Sequence, residues 1–228
     1  MSGGKRLFVG VRVSVATANA LAGAAETLQR KARDAGVDVR WVAPVNYHVT
    51  LKFLGWTRDD TIAAVGDALD EALAGAQRLG FRTARLGAFP SLDKATVVWA
   101  GIPDGDALAE IAKRVEAATA KLGFAADKRA FHPHVTLGRL RDPRSVRDVV
   151  LLLSEQMFGD TRIDSVMLFE SETKSSGSVY REVRRIGFTA APTTPERQTR
   201  AVELDPANPS SEPDDTDDGW PRGHGHDR

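Results

Sequence analysis

The chain has 228 residues and no cysteine, and it sets 31 Lys and Arg against 31 Asp and Glu, a formal net charge of zero. That length, with a hydrophobic fraction of 42%, is enough for a sizeable core, and the lack of cysteine excludes disulfide scaffolds, thiolate metal sites and cysteine nucleophiles. Charge balance also argues against a generic nucleic-acid coat or a polybasic membrane binder, both of which need surplus Lys and Arg.

Arg12 interrupts the apolar run that a signal peptide would need unbroken. The longest aliphatic run, Val149 to Leu153, is far short of the roughly 20 residues that span a bilayer. A cytoplasmic protein with no membrane partner is expected.

Arg6 to Val13 alternates as a strand does, and Leu21, Ala24, Leu28, Ala32 and Ala35 recur at helical spacing up to Gly36. Val39 to Trp41 and Tyr47 to Leu54 read as extended. Asp59 and Asp60 suit the start of a helix marked by Ile62, Val65, Leu69 and Ala72. Strands follow at Phe81 to Ala88 and Thr96 to Ile102, around the turn F-P-S-L-D-K. The order then begins again: a helix stripe from Leu108 to Leu122, an extended His134 to Leu140, a helix from Val146 to Met157, and strands at Ile163 to Glu170 and Val179 to Phe188. Intermixed helices and strands with short connections predict an α+β fold, with two similar lobes of mostly antiparallel sheet and helices on one face of each.

From residue 191 the composition shifts to Pro, Ser, Thr and Asp with few aliphatics, too little apolar surface to offset the entropy of ordering. Residues 1–190 are therefore expected to fold, and 191–228 to form a disordered acidic tail. Nine acidic and four basic residues in that tail leave 27 basic and 22 acidic residues before it, a net charge of +5. The zero total thus averages a modestly basic body with an acidic tail, which is expected to compete for the basic face.

H-V-T-L occurs twice, with His48 and Thr50 in N-Y-H-V-T-L-K-F-L-G and with His134 and Thr136 in F-H-P-H-V-T-L-G-R-L. On a strand, residues i and i+2 share a face, so each motif presents an imidazole beside a hydroxyl. Two such strands facing one another suit proton transfer at a phosphodiester. An imidazole near its ordinary pKa of about 6.5 serves as acid or base, and Thr hydroxyls donate to non-bridging oxygens. That arrangement needs no metal or other cofactor.

The duplicated motif resembles the 2H phosphoesterase superfamily, and within it the RNA 2′,3′-cyclic phosphodiesterase family, once called 2′-5′ RNA ligases. The likeness extends to R-L-F-V-G-V at the start, G-A-F-P-S at 87–91 with V-V-W-A-G after it, and F-E-S-E followed by Tyr180. It implies a bilobal fold with a pseudo-twofold axis through a central cleft. It also implies metal-independent opening of a terminal 2′,3′-cyclic phosphate on RNA ends or nucleotides to a 2′-phosphate; by microscopic reversibility the same site can join a 5′-hydroxyl in a 2′-5′ linkage, with water normally winning. Carried over to this sequence, His48 is the proton donor, His134 the proton acceptor, and Thr50, Thr136 and Arg139 hold the phosphate. Arg139 stands five residues after His134, the wrong parity for a flat strand, so it needs a bulge or strong twist to reach the cleft.

Lys52 shares the parity of His48 and Thr50 and is expected to face the cleft as a phosphate-balancing cation. Phe53 aligns with Arg139 under the repeat and is expected to offer a ring for stacking a terminal base. Alternative readings are a 2H enzyme for 2′-5′ oligonucleotides or an ADP-ribose cyclic phosphate, a non-catalytic binder of nucleotides or RNA ends, and a metal pair of His132 and His134 with His48 as third ligand. His224 and His226 are adventitious metal binders at most. Trp41, Trp56 and Trp99 read as packing residues, and a monomer without an obligate protein partner is expected.

Overall fold

Alternation in R-L-F-V-G-V-R produces strand β1 (Gly4–Arg12), whose residues 7–11 are buried because neighbours lie on both sides. The computed structural model describes residues 3–174 and 177–188; the expected acidic tail, with His224 and His226, lies outside the described residues. Ser14 caps helix α1 (Val15–Asp34) by accepting from the Thr17 amide, and Leu21, Ala24, Ala25, Leu28 and Ala32 form its buried stripe. There follow β2 (Arg40–Trp41), β3 (His48–Arg58), α2 (Asp59–Leu73), β4 (Leu79–Phe89), β5 (Ala95–Gly101), α3 (Asp106–Lys121) and β6 (His134–Arg144). The order closes with α4 (Arg147–Val150), β7 (Met157–Ile163), β8 (Ser165–Lys174) and β9 (Gly177–Gly187).

One expected element differs. The helix read from Val146 to Met157 ends as α4 at Val150 with a single 3-10 turn after it, and Met157 opens strand β7. Val149 and Val150 are buried, but Leu151 and Leu152 face solvent, so the leucine run never forms a continuous stripe. In β7 an irregularity opposite Thr83 and Ala84 shifts the register. Phe158 is therefore buried out of step with Thr161 and Ile163, which hides the period of two.

The strands lie in the order β7-β4-β5-β6-β3-β1-β8-β9, with β2 on the side of β6. Every pairing among them is antiparallel. The fold is α+β, and the sheet falls into two lobes, β3-β1-β8-β9 and β6-β5-β4-β7, joined where Val49 pairs with Val135. That pairing is antiparallel, so it sets His48 level with Thr136 and Thr50 level with His134.

The lobes are not the two halves of the chain. Helix α1, from the first half, packs on β7 and α4 in the His134 lobe, whereas α2 and α3 pack on each other and on β3 in the His48 lobe. The β4-β5 hairpin of the first half belongs to the His134 lobe, and β8-β9 of the second half to the His48 lobe. Each lobe thus has its motif strand from one half and its hairpin from the other.

Both motif strands bulge at the same place. Leu51 is the extra residue between the Gly10–Thr50 and Val9–Lys52 pairs, and Leu137 between the Trp99–Thr136 and Val98–Gly138 pairs. Each bulge reverses the side-chain alternation beyond it.

Because the halves exchange elements, neither closes a core alone. A chain cut in the Pro103–Gly105 turn tests this: residues 1–104 by themselves should show no cooperative urea transition, and mixing them with the remainder should restore one.

Candidate active site

His48 and His134 each open a motif strand, and each is oriented by the backbone two residues earlier. Nδ1 of His48 lies 2.6 Å from the Asn46 carbonyl, and Nδ1 of His134 2.6 Å from the His132 carbonyl. A carbonyl only accepts, so Nδ1 carries the proton and donates it in both cases, leaving Nε2 of each ring as the exchanging nitrogen. In His48, Nε2 lies 3.0 Å from the Thr50 hydroxyl.

Aromatic rings surround both imidazoles. Phe8 lies 4.8 Å and Tyr180 5.1 Å from the His48 ring, centroid to centroid, and Phe169 6.2 Å. Phe89 lies 5.1 Å and Trp99 6.4 Å from His134. Burial penalises the imidazolium and pushes His48 down to about 4; the bond to the Asn46 carbonyl opposes this, and the charges of Arg12, His134 and Arg139 reinforce it. His134 is lowered as well, chiefly by burial, against its bond to the His132 carbonyl and with help from Arg139 and His132. A cavity of about 230 Å³ adjoins His134, walled by Phe89, Trp99, His132 and Pro133.

Thr50 and Thr136 lie on the same strand face as their histidines. Arg139 reaches the cleft by the route its parity demands: the bulge at Leu137 restores it to the face of His134, and both imidazoles feel its charge. Phe53 follows the matching bulge at Leu51, stands 59% exposed, and lies 6.1 Å from Phe8.

Lys52 does not face the cleft. The bulge at Leu51 turns it to the opposite side, where it is 5% exposed and its Nζ donates to Glu116 Oε1 at 2.7 Å and to the Ala125 carbonyl at 2.6 Å. A flat-strand parity fails here because one residue was inserted before it. Trp56 is also not a packing residue, being 70% exposed. The metal pair gains no third partner: among the described residues no three His, Asp or Glu side chains cluster to hold an ion.

Arg12 was not among the candidates. It sits directly opposite His48 on β1, donates from Nη1 to the Val45 carbonyl at 2.8 Å, and lies 5.0 Å from the Phe169 ring centre. Strand parity was the available signal, because Phe8, Gly10 and Arg12 share one face of β1.

The profile of the 2′-5′ RNA ligase superfamily matches residues 17–174, a range holding both motifs and Arg139. The chain belongs to this superfamily. Among its members, the RNA 2′,3′-cyclic phosphodiesterases of Aeropyrum pernix and Archaeoglobus fulgidus are each 33% identical to it. The first aligns over 155 residues (66% of this chain, 87% of the relative) and the second over 147 (64% and 82%). Two solved structures share the superfamily fold. TT0787 of Thermus thermophilus has a TM-score of 0.68 at 22% identity over 80% of this chain and 97% of that one. Escherichia coli LigT in its apo form has a TM-score of 0.65 at 21% identity over 82% and 99%. Arg12 and Phe8 precede the matched range and Tyr180 follows it, so part of the wall around His48 lies outside the superfamily profile.

NMR titration should place both imidazoles below 6.5, His48 near pH 4, and Arg12→Gln should move His48 upward. Since folding lowers both values from about 6.5, their contribution to stability is complete above pH 6.5 and is lost as pH falls below it, that of His48 down to about pH 4.

Proposed function

We propose that the protein is a hydrolase, an RNA 2′,3′-cyclic phosphodiesterase that opens a terminal cyclic phosphate to a 2′-phosphate. The observation that carries this reading is the pair of imidazoles on adjoining strands, each with Nδ1 committed to a backbone carbonyl, which leaves Nε2 as the nitrogen that exchanges a proton. The names of the relatives agree with it.

Water attacks phosphorus from the side of His134, whose neutral Nε2 takes its proton as the new P–O bond forms. The P–O3′ bond breaks, and Nε2 of His48 delivers a proton to O3′. Thr50 and Thr136 donate hydroxyl hydrogen bonds to the non-bridging oxygens, and Arg139 and Arg12 supply positive charge beside them. The cavity beside His134 gives water its approach. By microscopic reversibility a 5′-hydroxyl entering there is joined in a 2′-5′ linkage. The assignment of donor and acceptor follows the family, since the repeat makes the two histidines chemically alike.

Burial favours the neutral imidazole at both positions in the free protein. Phosphodiester charge favours the imidazolium, so bound substrate loads His48 with its proton. We further read the protein as a monomer acting in the cytoplasm on RNA ends.

The test incubates the protein, with excess chelator, with an oligoribonucleotide ending in a 2′,3′-cyclic phosphate and follows the product by phosphorus NMR. A 2′-phosphate is expected; a 3′-phosphate overturns the histidine roles. His48→Ala and His134→Ala should each lower kcat by about 10³-fold while keeping a cooperative urea transition above pH 6.5. The bell-shaped profile of kcat/KM, which reports the free enzyme, should have both limbs below pH 6.5, with the limbs of kcat higher.

A further inference from the structure

The repeat makes the two sides of the cleft comparable, and they differ at one edge. In the His134 lobe the edge of β6 beyond Val135 is closed by β2, with Arg40 paired to Arg139 and Trp41 to Gly138. Position 138 has no room for a side chain: a Cβ there would lie 2.6 Å from Val39 Cγ1 and 3.2 Å from Trp41 Cε3. In the His48 lobe no strand of the described residues covers the same edge of β3. The segment after α3 runs there instead, and Lys52, the counterpart of Gly138, holds it through the Ala125 carbonyl.

An open groove of about 480 Å³ results, lined by Lys52, Phe53 and residues 125–129. Phe53 is exposed and lies 6.1 Å from Phe8, whose ring is 4.8 Å from His48, and Lys128 and Arg129 are exposed among the lining residues. Asp127 accepts from the Arg129 amide at 3.1 Å and pairs with its guanidinium at 3.6 Å, so the groove keeps a net positive charge through Lys128. An exposed ring beside a basic wall is how single-stranded nucleic acid is held without reading its sequence.

We propose that this groove is a subsite for single-stranded RNA leading to the cyclic end. Phe53 stacks the terminal base, and Lys128 and Arg129 take the backbone phosphate that precedes it. The proposal rests on the hydrolytic reading above, which already takes RNA ends, and adds where the strand behind the cyclic end is held and that this hold favours an oligonucleotide over a mononucleotide.

The experiment compares kcat/KM for cytidine 2′,3′-cyclic phosphate with that for a hexaribonucleotide ending in the same group, and measures binding of a hexamer ending in a 2′-phosphate by fluorescence anisotropy. The hexamer should be preferred by about tenfold or more. In Lys128→Ala/Arg129→Ala that ratio should fall to within about threefold of unity, with a shallower salt dependence of hexamer binding. Phe53→Ala should lower kcat/KM for both substrates by about tenfold, because both carry the terminal base. Equal efficiency on the two substrates in the unaltered protein, or a ratio the double variant leaves intact, overturns the groove and leaves the hydrolytic reading standing. Hexamer binding that depends on Lys128 and Arg129 without turnover of either substrate does the reverse.

Discussion

The cleft depends on the meeting of β3 and β6 at the pair Val49–Val135. Both valines are fully buried, and both imidazoles lie one residue from this pair on the opposite sheet face. A longer run of paired residues would hold the two strands parallel to one another and fill the space between the lobes with backbone. Two residues past each valine, Leu51 and Leu137 bulge and bend their strands apart. Contact at one point and divergence beyond it bring four chemically active side chains together without closing the space above them.

The surroundings of that point set the proton chemistry. Phe8, Phe169 and Tyr180 on one side, and Phe89 and Trp99 on the other, replace water around the imidazoles. Interactions with a bound phosphodiester are stronger in such a place than in water, because the local dielectric is lower. The cost is that the free site disfavours the charged histidine it needs. The two carbonyls that accept from Nδ1 recover part of this cost, and they fix the tautomer at the same time.

Much of this was legible in the residues. The H-V-T-L pair located both motifs, and a parity argument required a bulge before Arg139, which the structure contains at Leu137. The same argument misplaced Lys52, because the matching bulge at Leu51 left no separate mark in the sequence. Register depends on the partner strand, and local alternation does not carry it. The exchange of elements between halves was hidden for a related reason: helix stripes and turns show which faces are buried but not against which sheet. Arg12 could be seen to break an apolar run, but its place opposite His48 needed the pairing of β1 with β3.

The exchange has a consequence for how the protein is made. On a ribosome the N-terminal strand emerges first, but β1 pairs on one side with β8, as Leu7 with Glu170 and Gly10 with Met167. That strand edge has no native partner until most of the chain has been synthesised, and the β4-β5 hairpin must wait in the same way for β6 and β7. Unpaired edges in a nascent chain invite association with other chains. Production of this protein in cells should therefore be more sensitive to translation speed and chaperone supply than its modest size would indicate.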